Sequence, residues 1–350
     1  MNTQRPWIAI VGGYLGAGKT TLILTAAQVL AQRGLRSAVI LNDQGNELVD
    51  TRYAKMSGLA AGEVTGGCFC CRFSDLVSAM ENLPSYNPDV IFAEPVGSCT
   101  DIAATVLAPL REEFDRYRVA PFTVLVDPAR AAVLQSSNAD TNAAFLFQKQ
   151  LQEADLVCIT KMDIYPHASG IPGTHVRYVS AKTGQGVGEW LEELLSGELN
   201  VGTNVLEIDY EQYARAEAAL AWLNSSFTFR PELPTTPALV VGPLLDRLNH
   251  ALTAAGVSIA HLKIIDCSSS GWLKASMCAN GGEPGVEGDL DASPAEVHEL
   301  LLNLRATGSP IDVRGIVESE LECLSGCVSG LCLDCFAPAP PQPERRTVAG

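Results

Sequence analysis

Uninterrupted apolar runs recur along the first part of the chain, at 7–11, 37–41, 90–93, 122–126, 156–160 and 176–179. A strand buried on one face alternates apolar with polar residues. Runs without alternation predict strands buried on both faces, as in a parallel sheet. Stretches with helical spacing, such as 21–32, separate the runs. This alternation predicts an α/β three-layer domain over 1–200 with a mostly parallel sheet. In such folds the strand ends converge on one edge, where ligands bind.

Beyond residue 200 the pattern changes. The segment 196–203 is rich in Gly and polar residues and reads as a linker, followed by an Ala-rich helix at 210–222. Next come a strand at 226–229, a helix at 239–255, strands at 260–266 and 271–279, and a Gly/Pro loop at 280–293. The run 297–306 fits either strand or helix, and 311–321 fits a helix. The order suggests a smaller α+β domain of ferredoxin-like type. The expected divisions are a nucleotide domain 1–200, a linker helix 201–225, an α+β domain 226–322, a Cys-rich cluster 323–336 and a disordered Pro-rich tail 337–350.

The run GGYLGAGKTT at 12–21 lies between the first apolar run and the first helical stretch. It holds G-x-x-x-x-G-K-T, with Gly13, Gly18, Lys19 and Thr20 in the defining positions. Strand, Gly-rich loop and helix form the setting of a phosphate-binding loop, so the fold expected is a P-loop NTPase. Backbone N–H groups of Gly13, Gly16, Ala17 and Gly18 suit the β-phosphate, helped by the helix N-terminus at Thr21. Lys19 suits the β- and γ-phosphates, and Thr20 suits Mg²⁺.

The sequence TKMD at 160–163 follows an apolar run, and SAK at 180–182 follows the next. The Asp163 carboxylate can accept from the guanine N1 and N2 edge, while the Lys161 stem stacks over the base. Backbone N–H groups of Ser180, Ala181 and Lys182 suit the guanine O6. GTP is therefore the expected nucleotide. Between these motifs, VIFAEPVG ends an apolar run in Glu94, with Gly97 placed to offer its N–H to the γ-phosphate. Glu94 and Asp43, the latter at the end of the second run, are the candidate carboxylates for the metal-linked or attacking water.

Eleven cysteines are present, an odd number. In a nucleotide-binding protein of the cytoplasm they favour metal binding or the reduced state over disulfides. Cys68, Cys70 and Cys71 form C-x-C-C, which offers soft ligands to Zn²⁺ or Cu⁺, with Co²⁺ and Ni²⁺ open for mixed ligand sets. Three thiolates leave a position for a partner, water or carboxylate, which suits transfer more than storage. Cys323, Cys327, Cys332 and Cys335 form a second set, readable as structural zinc, an iron–sulfur cluster, a relay or a redox disulfide pair. Cys99 and Cys158 read as packing residues.

The formal net charge of −16 disfavours nucleic-acid binding. No stretch of 18 or more residues is uninterruptedly apolar, so no membrane span is expected. A cytoplasmic location follows as an expectation.

GGYLGAGKTT, LND, GGCFCC, EPVG, TKMD and SAK, in that order, resemble the CobW-type GTPases, relatives of UreG and HypB. The resemblance covers roughly residues 6–195 with specific motifs and extends more loosely to about 320. It implies a GTPase that delivers a transition metal to a client metalloenzyme, or assists assembly of a metal-containing cofactor. Cobalt for a corrinoid, zinc, and iron for a nitrile hydratase-like enzyme are all open. The chain departs from the family pattern at Asp43, where Glu is usual, and at Pro95-Val96, where Thr-Thr is usual. Its five His are unclustered. No arginine finger is evident, so a client or the second subunit of a homodimer would supply one. Two readings from other classes stand beside this one: a P-loop small-molecule kinase, and a redox or iron–sulfur regulatory GTPase.

Overall fold

A computed structural model describes residues 5–45, 49–83, 86–168, 170–171, 173 and 175–347. The chain divides into two compact units. The first comprises 1–44, 54–216 and 340–350, the second 45–53 and 217–339.

The first unit is built on a parallel sheet in the order β3-β2-β4-β1-β6-β7-β8. Its strands are β1 (Trp7–Gly13), β2 (Ser37–Asn42), β3 (Ala60–Val64), β4 (Val90–Glu94), β6 (Thr123–Val126), β7 (Leu156–Ile159) and β8 (Val176–Tyr178). The short β5 (Arg118–Val119) pairs with β1. Every residue of β4, β6 and β7 is buried, the signature of a sheet covered on both faces. Because neighbours run parallel, Gly13, Asn42, Glu94, Val126 and Ile159 end their strands on one edge.

Helix α1 (Lys19–Gln32) follows β1 directly through the loop 14–18. It stops where Gly34 N–H donates to Ala31 O and Leu35 N–H to Leu30 O, a Schellman ending. Asp140 caps α6 (Thr141–Glu153) by accepting from Asn142 and Ala143 N–H. A fully buried π-helical turn, Ala103–Leu107, leads into α4 (Ala108–Glu113). Helix α8 (Tyr210–Ala218) begins in the first unit, where the Tyr213 hydroxyl accepts from Thr100 N–H.

The second unit holds an antiparallel sheet in the order β12-β11-β10-β13-β9-β14. Its strands are β9 (Leu220–Pro231), β10 (Ile259–Ser268), β11 (Gly271–Met277), β12 (Gly285–Gly288), β13 (His298–Thr307) and β14 (Gly326–Phe336), with helices α9 (Pro237–Ala254) and α10 (Pro310–Glu322). The central four strands, β14-β9-β13-β10, have the 4-1-3-2 order of a ferredoxin-like fold, extended at one edge by β11 and β12. The ambiguous run at 297–306 is strand: Leu300, Leu302, Leu304 and Ala306 enter the core at a period of two.

Four expectations need correction. The linker helix expected over 201–225 is helical only over Tyr210–Ala218, because β9 starts at Leu220 and pairs with β13. The loop expected at 280–293 contains β12, Gly285–Gly288, which pairs with β11. The Cys-rich segment is not a separate cluster: Cys323 caps α10, while Cys327, Cys332 and Cys335 lie on β14, opposite Arg230, Ser226 and Leu223 of β9. The tail is not disordered over 340–347. Its Glu344 and Thr347 N–H groups donate to Cys70 O and Ala104 O of the first unit. Pro-rich chain is extended before it docks, so little conformational entropy opposes its ordering. Among the described residues no helix is long and apolar enough to cross a membrane.

Candidate nucleotide and metal site

The phosphate loop is shaped by backbone that side chains would obstruct. Gly13 has φ 131°, and a Cβ there would lie 2.5 Å from Leu125 O. Gly16, Ala17 and Gly18 complete the turn, with Gly18 at the N-cap of α1 and Thr21 in its first turn. The buried Lys19 ammonium donates to Gly13 O at 2.9 Å, which folds it back over the loop. The Thr20 hydroxyl donates to Glu94 Oε2 at 2.9 Å. The residues thus fit Mg²⁺ and a nucleoside triphosphate: a donor-lined cradle, a lysine over it, and a hydroxyl beside a carboxylate where the ion is needed.

The base side is held as firmly. Thr160 Oγ1 donates to Ala17 O at 3.0 Å, tying β7 to the phosphate loop. Asp163 Oδ1 accepts from Ser180 Oγ at 2.6 Å, so TKMD and SAK meet. Thr25 of α1 donates to Ala181 O at 2.7 Å, and Lys182 is exposed beside it. Lys161 sits at φ 58°, with its ammonium 2.7 Å from Asp127 Oδ2. Asp127 also caps α5 (Pro128–Leu134) by accepting from Ala129 N–H. Sequence reasoning missed Asp127, though a strand-ending acid before Pro was a usable signal.

The Cys68–Cys70, Cys68–Cys71 and Cys70–Cys71 sulfur pairs stand 2.8, 3.3 and 3.6 Å apart. Among the described residues, this trio alone brings three His, Cys, Asp or Glu ligand atoms within 4.8 Å of one another. Cys68 and Cys70 are buried and Cys71 half-buried. The Cys68 thiol's hydrogen bond, with burial, pushes Cys71 up to about 11. Hydrogen bonds from Cys68, Cys71 and Cys99, with burial, push Cys70 well above the usual thiol value. Cys99, read from sequence as packing, therefore lies beside the trio. The Cys70 and Cys71 thiols hold protons that an incoming cation would displace.

Asn42 links the two halves of the site, and sequence reasoning missed it. Its side chain donates to Val64 O at 3.0 Å and Gly67 O at 2.7 Å, and accepts from Phe69 N–H at 2.8 Å. The loop carrying C-x-C-C is thereby pinned to the end of β2, next to Asp43. Asp43 itself is half-buried, with its N–H donating to Val64 O. On the other side, Gly97 abuts the phosphate loop: a Cβ there would lie 2.7 Å from the Leu15 side chain. Gln150 of α6 donates to Gly97 O and Cys99 O, and Glu153 accepts from Thr100 Oγ1 and Ala103 N–H.

The second cysteine set does not assemble. Strand rise spreads Cys327 to Cys335 over roughly 20 Å or more, and residues three apart, such as Cys332 and Cys335, face opposite sides. The expected zinc, iron–sulfur or relay site at Cys323, Cys327, Cys332 and Cys335 is withdrawn on that geometry.

The family profile described as CobW/HypB/UreG, nucleotide-binding domain, matches residues 7–179. The nucleotide-binding domain of this chain belongs to the CobW/HypB/UreG family. The zinc chaperone YjiA of Escherichia coli is 30% identical over 164 residues, 45% of this chain and 49% of that protein. The zinc chaperone CobW of a Sinorhizobium species is 30% identical over 190 residues, 46% of this chain and 52% of its own. The hydrogenase maturation factor HypB of Azotobacter chroococcum is 28% identical over 189 residues, 50% of this chain and 55% of its own. The chain thus spans about half the length of the curated relatives it matches. Among solved structures, Zn(II)-bound YjiA GTPase from E. coli aligns over 90% of this chain and 99% of its own, at 16% identity and TM-score 0.36. HypB from Helicobacter pylori in complex with nickel aligns over 55% of this chain and 86% of its own, at 16% identity and TM-score 0.41.

Proposed function

We infer that the protein is a GTP-hydrolysing metallochaperone of the cytoplasm. It carries a transition-metal ion on Cys68, Cys70 and Cys71 and delivers it to a client metalloenzyme or cofactor-assembly protein. The observation that carries this reading is the Asn42 clamp. It joins the three converging thiols to the strand end that bears Asp43, one of the two carboxylates at the nucleotide edge.

Phosphates bind along Gly13 to Thr21, Asp163 selects guanine, and Mg²⁺ is held at Thr20 with Glu94 behind it. When bound, Mg²⁺ neutralises charge developing on the phosphates. Glu94 and Asp43 orient the attacking water. Gly97, tight against Leu15, passes the presence of the γ-phosphate into the segment that ends beside Cys70. Zinc is the favoured cargo: thiolate ligands prefer it, and two of the relatives are zinc chaperones.

Cys70→Ala tests the cargo assignment. Bound metal per chain is expected to fall while GTP affinity stays near wild type. Unchanged metal content removes the thiols from the function.

A further inference from the structure

After β14 the chain returns to the first unit at Pro340 and crosses the C-x-C-C loop. Gln342 N–H donates to Cys71 Sγ at 3.1 Å, and Glu344 N–H donates to Cys70 O at 2.9 Å. Pro341 and Pro343 lack an N–H, so alternate residues are the donors, in step with an extended segment. The Glu344 carboxylate accepts from both Ser74 N–H and Ser74 Oγ, at 2.9 and 2.6 Å. Farther on, Arg346 Nε donates to Asp101 Oδ2 at 2.9 Å, and Thr347 N–H donates to Ala104 O at 2.9 Å. Asp101 is almost wholly buried, with a side-chain exposure of 1%, so its pair with Arg346 is poorly screened by salt.

We propose that this surface is a docking groove for an extended segment with Glu-x-Arg spacing, and that residues 340–347 fill it in cis as a strap closing the thiol site. The strap rests on two segments. One is the loop that bears the cysteines. The other, 101–104, continues the chain from Gly97 and Cys99, whose carbonyls accept from Gln150 of α6, and its Ala103 N–H donates to Glu153 of the same helix. A shift of 97–104 on nucleotide exchange strains the Arg346 and Thr347 contacts and favours lifting of the strap. Lifting removes the Gln342 N–H from the Cys71 sulfur and opens the face through which an ion leaves. A client that presents the same spacing would replace the strap. The role in metal release rests on the metallochaperone reading; the covering of the thiols does not.

The test compares the full chain with a truncation after Ala339. Metal-free, reduced protein is treated with N-ethylmaleimide, and modification of Cys71 is followed by peptide mass spectrometry. Loss of a few hydrogen bonds is expected to raise the rate roughly tenfold. A synthetic peptide of residues 340–350 added in trans should restore protection. The double variant Glu344→Ala/Arg346→Ala should fall between the two. GTP affinity, equal in both chains, verifies that the truncated protein is folded. Equal modification rates in the two chains overturn the strap. Zinc loss to a chelator is measured in parallel. Faster loss on truncation extends the strap to metal release. Failure of the full chain to bind zinc overturns the metallochaperone reading while the alkylation result still decides the strap.

Discussion

The Asn42 side chain accepts the Phe69 N–H at 2.8 Å, so the thiol loop hangs from the strand end that precedes Asp43. Removing that amide strips three hydrogen bonds from buried or half-buried backbone groups at once. Asn42→Ala is expected to cost about 1–3 kcal/mol of stability. Denaturant titration reads this loss. The same variant should uncouple zinc affinity from nucleotide state while phosphate binding persists. Retention of full coupling would show that the signal does not pass through Asn42.

Asp163 receives the Ser180 hydroxyl and offers its remaining lone pairs to a base. Asp163→Asn replaces an acceptor by a donor on that edge. GTP affinity should fall roughly a hundredfold, the worth of two charge-assisted hydrogen bonds, and xanthosine triphosphate affinity should rise. Fluorescent-nucleotide titration checks both. Unaltered GTP affinity would exclude Asp163 as the guanine selector.

Glu153 is buried on α6 beneath 100–103, and burial raises its carboxyl from the ordinary 4.5 to about 8. The folded protein therefore holds a proton that the unfolded chain has released between those values. Stability from this group is full below about 4.5 and is lost as pH rises toward about 8. Thermal midpoints should decline over that window, and Glu153→Gln should flatten the decline. A wild-type profile that rises there, with no effect of the substitution, would contradict the assignment.

A Cβ at Gly97 would lie 2.7 Å from the end of the Leu15 side chain, which would have to shift to admit it. Gly97→Ala should leave the fold intact, lower GTP hydrolysis by about tenfold or more, and spare GDP binding. Single-turnover hydrolysis with a GDP titration separates these. Wild-type hydrolysis would show that the γ-phosphate is not sensed at Gly97.

What the sequence displayed was whatever a short local pattern determines. The phosphate loop, Glu94 and the TKMD–SAK pair are each contiguous, and each follows an apolar strand. Asn42 escaped because its role depends on three backbone groups 22 to 27 residues away. Cys323, Cys327, Cys332 and Cys335 misled because spacing says nothing about backbone form, and an extended strand separates residues that a turn would gather. The start of β9 at Leu220 was hidden in an Ala-rich run of good helix formers, overridden by pairing with β13. The tail looked unstructured because its partners, Cys70, Ser74 and Asp101, lie far away in sequence.

The most direct test of the central claim is zinc affinity measured by competition with a chromophoric chelator, in the presence of Mg²⁺ with either GDP or a non-hydrolysable GTP analogue. The account predicts a difference of at least about tenfold, near 1.4 kcal/mol, between the two nucleotide states. It also predicts loss of binding when Cys68, Cys70 and Cys71 are replaced by Ser. Equal affinity in both states, or zinc retained after that replacement, would contradict it.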